Sequence, residues 1–197
     1  MSSAAPLLVL ASGSAVRRRL LTRAGLVFRV DVADIEEGAR PSEAPFDLAR
    51  RLAREKAEAV AARWPSAVVV GADQVGVVDS DGPVLRKCYE EEQAVEQLLA
   101  MAGREHTFCS AAAVMTGTVL VAEVEQRATV RFRAFGKDEA RAYVALGEWL
   151  GSAGSYHLEG RGVRLIESVT GPETAVLGLP LLPLLGALRD LAATPDA

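Results

Sequence analysis

The turn Ser12-Gly13-Ser14 is closely followed by Arg17, Arg18 and Arg19. A helix N-terminus carries unpaired N–H groups and a partial positive charge, so cations in its first turn are unfavourable unless an anion joins them. Ser14 can cap such a helix, Gly13 can let backbone approach a ligand, and an arginine fork can grip phosphate oxygens in bidentate fashion. A plain Ser cap beneath a solvated basic face accounts for the same residues, so this segment alone leaves two readings open. It is no Walker loop, since G-x-x-x-x-G-K-[ST] does not occur. Asp73 sits within Val-Val-Val-Gly-Ala-Asp-Gln-Val-Gly-Val-Val, almost without polar company. A carboxylate there either pairs, binds a metal or shifts its pKa, as catalytic acids and metal ligands do, or escapes to solvent at a strand-end turn. Lys56 shares a helical face with Leu48 and Leu52, where a lysine snorkels to water or meets an anion. Glu36-Glu37 are Mg²⁺-type ligands or a solvated acidic pair. The two histidines, His106 and His157, stand far apart in sequence, which argues against a histidine-built metal site.

The elements that must position these residues follow from periodicity and punctuation. Leu7 to Leu10 reads as a strand, and Ala15 to Gly25 as a helix with Leu20, Leu21 and Ala24 at helical spacing. Val27 to Val32 reads as a second strand and Asp34 to Pro45 as a loop. Asp47 is expected to cap a long helix that ends near Trp64-Pro65. Ala67 to Val70 is a β-branched run that Gly71-Ala72-Asp73-Gln74 interrupts and Val75 to Val78 resumes, before an Asp81-Gly82 turn. Glu90 to Ala102 and Lys137 to Leu146 suit helices, whereas Phe108 to Met115, Val119 to Phe132 and Ser155 to Val169 alternate like strands. Leu177 to Leu191 closes the chain as an apolar helix with Pro180 in its first turn. Strands and helices mix without strict alternation, which predicts a mixed α/β sheet flanked by helices, not a doubly wound parallel one.

Half of the 197 residues are hydrophobic, enough for a core that needs no disulfide or metal. One domain spanning 1–197, with room for two lobes, is the expected organisation. A formal net charge of −4 argues against an extended nucleic-acid surface. No apolar run approaches the roughly 20 residues that span a bilayer, and Met1 to Ala5 lacks the basic start of a secretory signal. Cys88 and Cys109 lack metal-ligand spacing and read as free thiols. A cytoplasmic protein is expected, without nucleic-acid or membrane partners.

Taken in order, these positions resemble the Maf family of nucleotide pyrophosphatases, whose L-A-S-x-S-P-x-R-R signature stands here as Leu10-Ala11-Ser12-Gly13-Ser14-Ala15-Val16-Arg17-Arg18. Glu36-Glu37 matches the family's acidic pair, Leu52-Ala53-Arg54-Glu55-Lys56-Ala57 its L-A-x-x-K-A, and Gly71-Ala72-Asp73-Gln74 its G-[AS]-D-[TQ]. Lys87, Gly103-Arg104-Glu105-His106-Thr107, Ala153-Gly154-Ser155-Tyr156-His157-Leu158-Glu159-Gly160 and Gly178-Leu179-Pro180-Leu181 follow, so the resemblance covers nearly the whole chain. It implies a twisted mixed sheet with two lobes around a central cleft, related to inosine triphosphate pyrophosphatases. It also implies hydrolysis of a nucleoside triphosphate between its α- and β-phosphates with Mg²⁺ or Mn²⁺, and a homodimer. Asp73 would activate water, and Ser12, Ser14, Arg17, Lys56 and Lys87 would hold the phosphates. Glu37 would join Asp73 at the metal.

Three positions vary with base preference in the family and are Val16, Gln74 and Glu159 here. Gln with Glu resembles the 7-methyl-GTP branch, and a glutamate can accept from guanine N1 and N2 together. Val16 matches neither that branch nor the dTTP/UTP one. The chain also has Arg86-Lys87-Cys88 where the family has G-K-P, Ala15 where it has proline, and Ala102 in place of a serine. Two rivals remain. Val77-Val78-Asp79-Ser80-Asp81-Gly82 resembles the D-x-D-G of haloacid-dehalogenase-like phosphatases, with Asp79 as nucleophile and Asp81 as acid. The other is a non-enzymatic nucleotide-binding regulator linked to cell division.

Overall fold

Leu8 to Ala11 is wholly buried and hydrophobic, the pattern of a strand covered on both faces, and it forms β1 (Leu8–Ala11). The computed structural model describes residues 6–79 and 82–191. After β1 come α1 (Ala15–Arg23), β2 (Arg29–Val30), α2 (Pro45–Ala61) and β3 (Val68–Val78). The chain continues through α3 (Glu91–Met101), β4 (Glu105–Thr116), β5 (Val119–Phe132) and α4 (Lys137–Val144). A 3₁₀ turn (Arg161–Leu165), β6 (Ile166–Thr170), α5 (Glu173–Val176) and α6 (Leu181–Asp190) complete it. The strands form one open, mixed sheet in the order β2-β1-β3-β4-β5-β6, in keeping with the expected class. β1 lies parallel to both β2 and β3, while β5 and β6 are antiparallel.

The chain divides into two compact units, one built from 1–74, 109–126 and 177–197 and the other from 75–108 and 127–176. In the first, side-chain alternation sorts the sheet into two faces. Leu8, Leu10, Val68, Val70 and Ala72 pack with Leu20 and Leu21 of α1 and Leu184 and Leu188 of α6. Val9, Ala11 and Val69 pack on the other face with Ala57, Val60 and Ala61 of α2. The second unit has its own core, in which Phe108, Phe132, Tyr156 and Trp149 meet Leu98 and Met101 of α3.

Several elements differ from the sequence reading. β3 is continuous through Gly71-Ala72-Asp73-Gln74. Gly71 is required there by close approach: a Cβ would come within 2.1 Å of the Ala53 carbonyl oxygen and 2.5 Å of the Ala57 nitrogen, so α2 lies backbone-against-backbone on β3. Asp47 does not cap α2. Ala44 holds the cap position without a side-chain bond, Pro45 starts the helix, and Asp47 in the first turn accepts from Arg50. The strand read over Val27 to Val32 shrinks to Arg29–Val30 at the sheet edge, with Val27 and Val32 exposed. Ser155 to Val169 is mostly turn and 3₁₀, with strand only from Ile166. The final helix starts later than Leu177: α6 runs from Leu181 with Pro180 at its cap and not in its first turn, because the left-handed Gly178 (φ 96°) precedes it, and the short α5 lies ahead of the expected span. Cys88 and Cys109 are buried and form no disulfide among the described residues. No helix among the described residues is long and apolar enough to cross a membrane.

Candidate functional site

The parallel register of β1 on β3 pairs Leu10 with Val70 and Ala11 with Gly71. β1 therefore ends as β3 continues, and Ser12 leaves the sheet beside Ala72 and Asp73. Such carboxyl ends of parallel strands are where open α/β sheets present ligand sites. Ser14 caps α1 as expected: its hydroxyl oxygen accepts from the Arg17 amide at 3.3 Å, and its own amide donates to the Ser12 hydroxyl oxygen at 3.3 Å. No acidic side chain occupies the first turn of α1.

Alternation in β3 turns Asp73 toward the α2 face, the face of Val69. The close packing at Gly71 brings α2 near enough for Lys56 to reach it, and Lys56 Nζ donates to Asp73 Oδ1 at 2.6 Å. The same ammonium lies 2.7 Å from Glu37 Oε1, so one cation bridges two carboxylates. The Lys56 and Asp73 side chains are only 9% and 12% exposed, whereas Glu37 is 56% exposed, so the cluster is buried at its root and open at its rim. Lys56 meets an anion; it does not snorkel. Lys56 engages one of the two Asp73 oxygens, Oδ1. Glu36 lies in the same exposed loop.

Arg17 is half-buried, while Arg18 and Arg19 are exposed. Its Nε donates to the Gly178 carbonyl at 2.7 Å, and its Nη1 donates to the Ala72 carbonyl at 2.8 Å and the Ser12 hydroxyl oxygen at 3.0 Å. Burial pulls its pKa below the usual arginine value, opposed by the charges of Asp73 and Glu37. Gln74 projects opposite to Asp73, where a Cβ on Gly178 would lie 3.4 Å from its Oε1. Val16 packs partly into the first unit's core, on the side of α1 and α6.

Ser12, Ser14, Arg17, Glu37, Lys56, Asp73 and Gln74 thus gather in the first unit. Lys87 and Glu159 belong to the second. Lys87 is exposed and pairs through its backbone with Ala153. Glu159 Oε1 lies 3.6 Å from His157 Nδ1; bonding to Glu159 raises the His157 pKa, against the opposing effect of burial. Two participants escaped the sequence reading as such: the Ala72 and Gly178 carbonyls, backbone atoms without a side-chain signature. Asp79 is engaged at the surface by Arg104, whose Nη2 lies 2.6 Å away, an arrangement unsuited to a nucleophile; Asp81 lies outside the described residues.

No three His, Cys, Asp or Glu side chains cluster as metal ligands among the described residues. Glu37 and Asp73 are hard oxygen donors of the type a Mg²⁺ or Mn²⁺ ion takes, although the point where their oxygens meet is held by the Lys56 ammonium.

A family model described as Maf-like protein matches residues 7–191. The chain is 40% identical over 182 residues to the dTTP/UTP pyrophosphatase of Desulfotalea psychrophila, covering 92% of each chain. It is also 40% identical over 193 residues to the 7-methyl-GTP pyrophosphatase of Pseudomonas aeruginosa, covering 94% of this chain and 96% of that one. Among solved structures, a HAM1 protein from Coxiella burnetii aligns with TM-score 0.48 and 14% identity over 95% of this chain and 96% of its own.

Proposed function

This chain belongs to the Maf-like protein family, and on that premise we propose that it hydrolyses a nucleoside triphosphate between the α- and β-phosphates, giving the monophosphate and pyrophosphate. The observation that carries the proposal is the buried Asp73 held by Lys56 on the edge of the loop that caps α1.

Asp73 is the general base. Lys56 fixes Oδ1 at 2.6 Å, which leaves Oδ2 as the oxygen that takes a proton from water as the water oxygen attacks phosphorus. The pyrophosphate leaves with the electron pair of the broken anhydride bond. Negative charge spreads over the transferring oxygens during that step, and the groups of the first unit that meet it are Lys56, the hydroxyls of Ser12 and Ser14, and the positive end of α1. Glu37 and Asp73 would hold a divalent cation, which when bound supplies Lewis-acid charge to the phosphate oxygens. The arginine fork at Arg17 contributes positive potential to the same site.

For the base, the resemblance of Gln74 and Glu159 to the family's 7-methyl-GTP branch favours a guanine-type substrate. Overall similarity does not decide this, because relatives named for different nucleotides match equally well. Val16, partly packed in the core, offers little surface to a base. The wider setting, a cytoplasmic homodimeric house-cleaning enzyme, rests on the family resemblance alone.

The test is a panel of canonical and 7-methylated triphosphates with Mg²⁺ or Mn²⁺, scored separately for pyrophosphate and orthophosphate. Pyrophosphate with nucleoside monophosphate is the expected product pair. Orthophosphate alone would point to a phosphomonoesterase instead, and no turnover of any nucleotide would favour a binding role.

A further inference from the structure

Three neutral oxygens from three separate segments converge on one guanidinium. Arg17 reaches the Ser12 hydroxyl just after β1, the Ala72 carbonyl one residue before Asp73, and the Gly178 carbonyl ahead of α6. None of these acceptors is a carboxylate, so the contacts read as a chelate of backbone and hydroxyl, which sets geometry, and not as an ion pair. Gly178 is needed for its backbone: its φ of 96° lies in the left-handed region, where a side chain is strained, while a Cβ there would make only ordinary contacts with Gln74 Oε1 at 3.4 Å and Arg17 Nε at 3.6 Å.

We propose that Arg17 is a positioning residue and not a phosphate ligand: its fork fixes Ala72-Asp73-Gln74 against Gly178, holding Asp73 for water and Gln74 for the base. The proposal rests on the assignment of Asp73 as the base. Residues held this way must stay within fractions of an ångström of the productive geometry, since a misplacement of about 1 Å costs roughly 10²-fold in rate. Lysine keeps the charge of Arg17 but offers a single nitrogen with no planar fork, so Arg17→Lys separates geometry from charge.

The experiment compares wild type, Arg17→Lys and Gly178→Ala in steady-state turnover and in amide hydrogen exchange without nucleotide. For Arg17→Lys, kcat is expected to fall at least about 100-fold while KM for the triphosphate stays within about threefold. Exchange is expected to quicken at 72–74 and 178–179 and to stay unchanged in the second unit's core. Gly178→Ala, which disturbs the other end of the same contact, should repeat the pattern, and the double variant should be scarcely worse than either single one. A raised KM with kcat retained, or unchanged exchange at 72–74 whatever the kinetics, overturns the proposal in favour of a phosphate grip. If Arg17→Lys does not fold, Gly178→Ala is judged by the same two criteria. The exchange measurement needs no substrate, so absence of pyrophosphate release by wild type would defeat the functional proposal while leaving this one to be decided.

Discussion

Each unit buries a polar pair, and the two pairs are opposites. In the first unit Lys56 and Asp73 meet at 2.6 Å as charged groups. In the second, His106 and Tyr156 meet at 2.8 Å inside a cage of Phe108 and Phe132. Burial pushes the His106 pKa down to about 4 and raises that of Tyr156, so both stay neutral near pH 7. An unpaired buried charge is costly, and the second pair avoids that cost by discharging. The first is built differently: Lys56 is shared between Asp73 and the partly exposed Glu37, which leaves the cluster open at one edge. Burial of a polar pair is therefore no mark of a functional site by itself. An ion pair that opens to solvent at one edge can receive a charged ligand; a neutral, enclosed pair fastens a core.

The largest expected break of this contrast comes from Lys56→Met. Turnover should fall about 10³-fold, because two carboxylates then face each other without their cation and the phosphates lose one. Full activity with lowered stability would instead make the Lys56 pair a structural twin of His106–Tyr156. A second effect, on the order of 3 kcal/mol, concerns pH and the neutral pair. With its folded value near 4, below the ordinary 6.5, His106 refuses a proton that the unfolded chain accepts. Its contribution to stability is whole above pH 6.5 and is lost progressively as pH falls from 6.5 to about 4. Urea titrations of wild type and His106→Leu across this window should differ in slope, and identical slopes would show that His106 titrates normally. The smallest effect is Tyr156→Phe, which leaves His106 Nε2 without its hydroxyl partner and should lower stability by about 1–2 kcal/mol. Turnover should stay within about twofold, and a large loss of kcat would move the second pair into the mechanism.

How much of this was legible depended on the range of the interaction. α1 was readable because Ser14 caps it locally and Gly25, with φ 77°, ends it. The class of sheet was readable from the mixed order of strands and helices. β3 was not, because Gly71 looks like a breaker along the chain and is in fact the residue that lets α2 touch the strand. The isolation of Asp73 signalled a partner without naming it; Lys56 lies 17 residues away and is joined to it only by that packing. Arg17 was legible as a cation, but its contact with Gly178 was not, since that acceptor is a backbone oxygen 161 residues distant. Val27 to Val32 failed as a full strand because β-branched residues at a sheet edge need not pair. Lys87 and Glu159 were found through the order of motifs alone, which carries no geometry.

The central claim is that Asp73 activates water in the first unit. The most direct measurement is pyrophosphate release by Asp73→Asn beside nucleotide binding by the same protein, followed by calorimetry with its triphosphate and a divalent cation. Asparagine keeps the shape and removes the base, so the account predicts turnover lowered at least about 10³-fold with the dissociation constant changed less than about tenfold. Pyrophosphate release at the wild-type rate from a folded Asp73→Asn protein would contradict it.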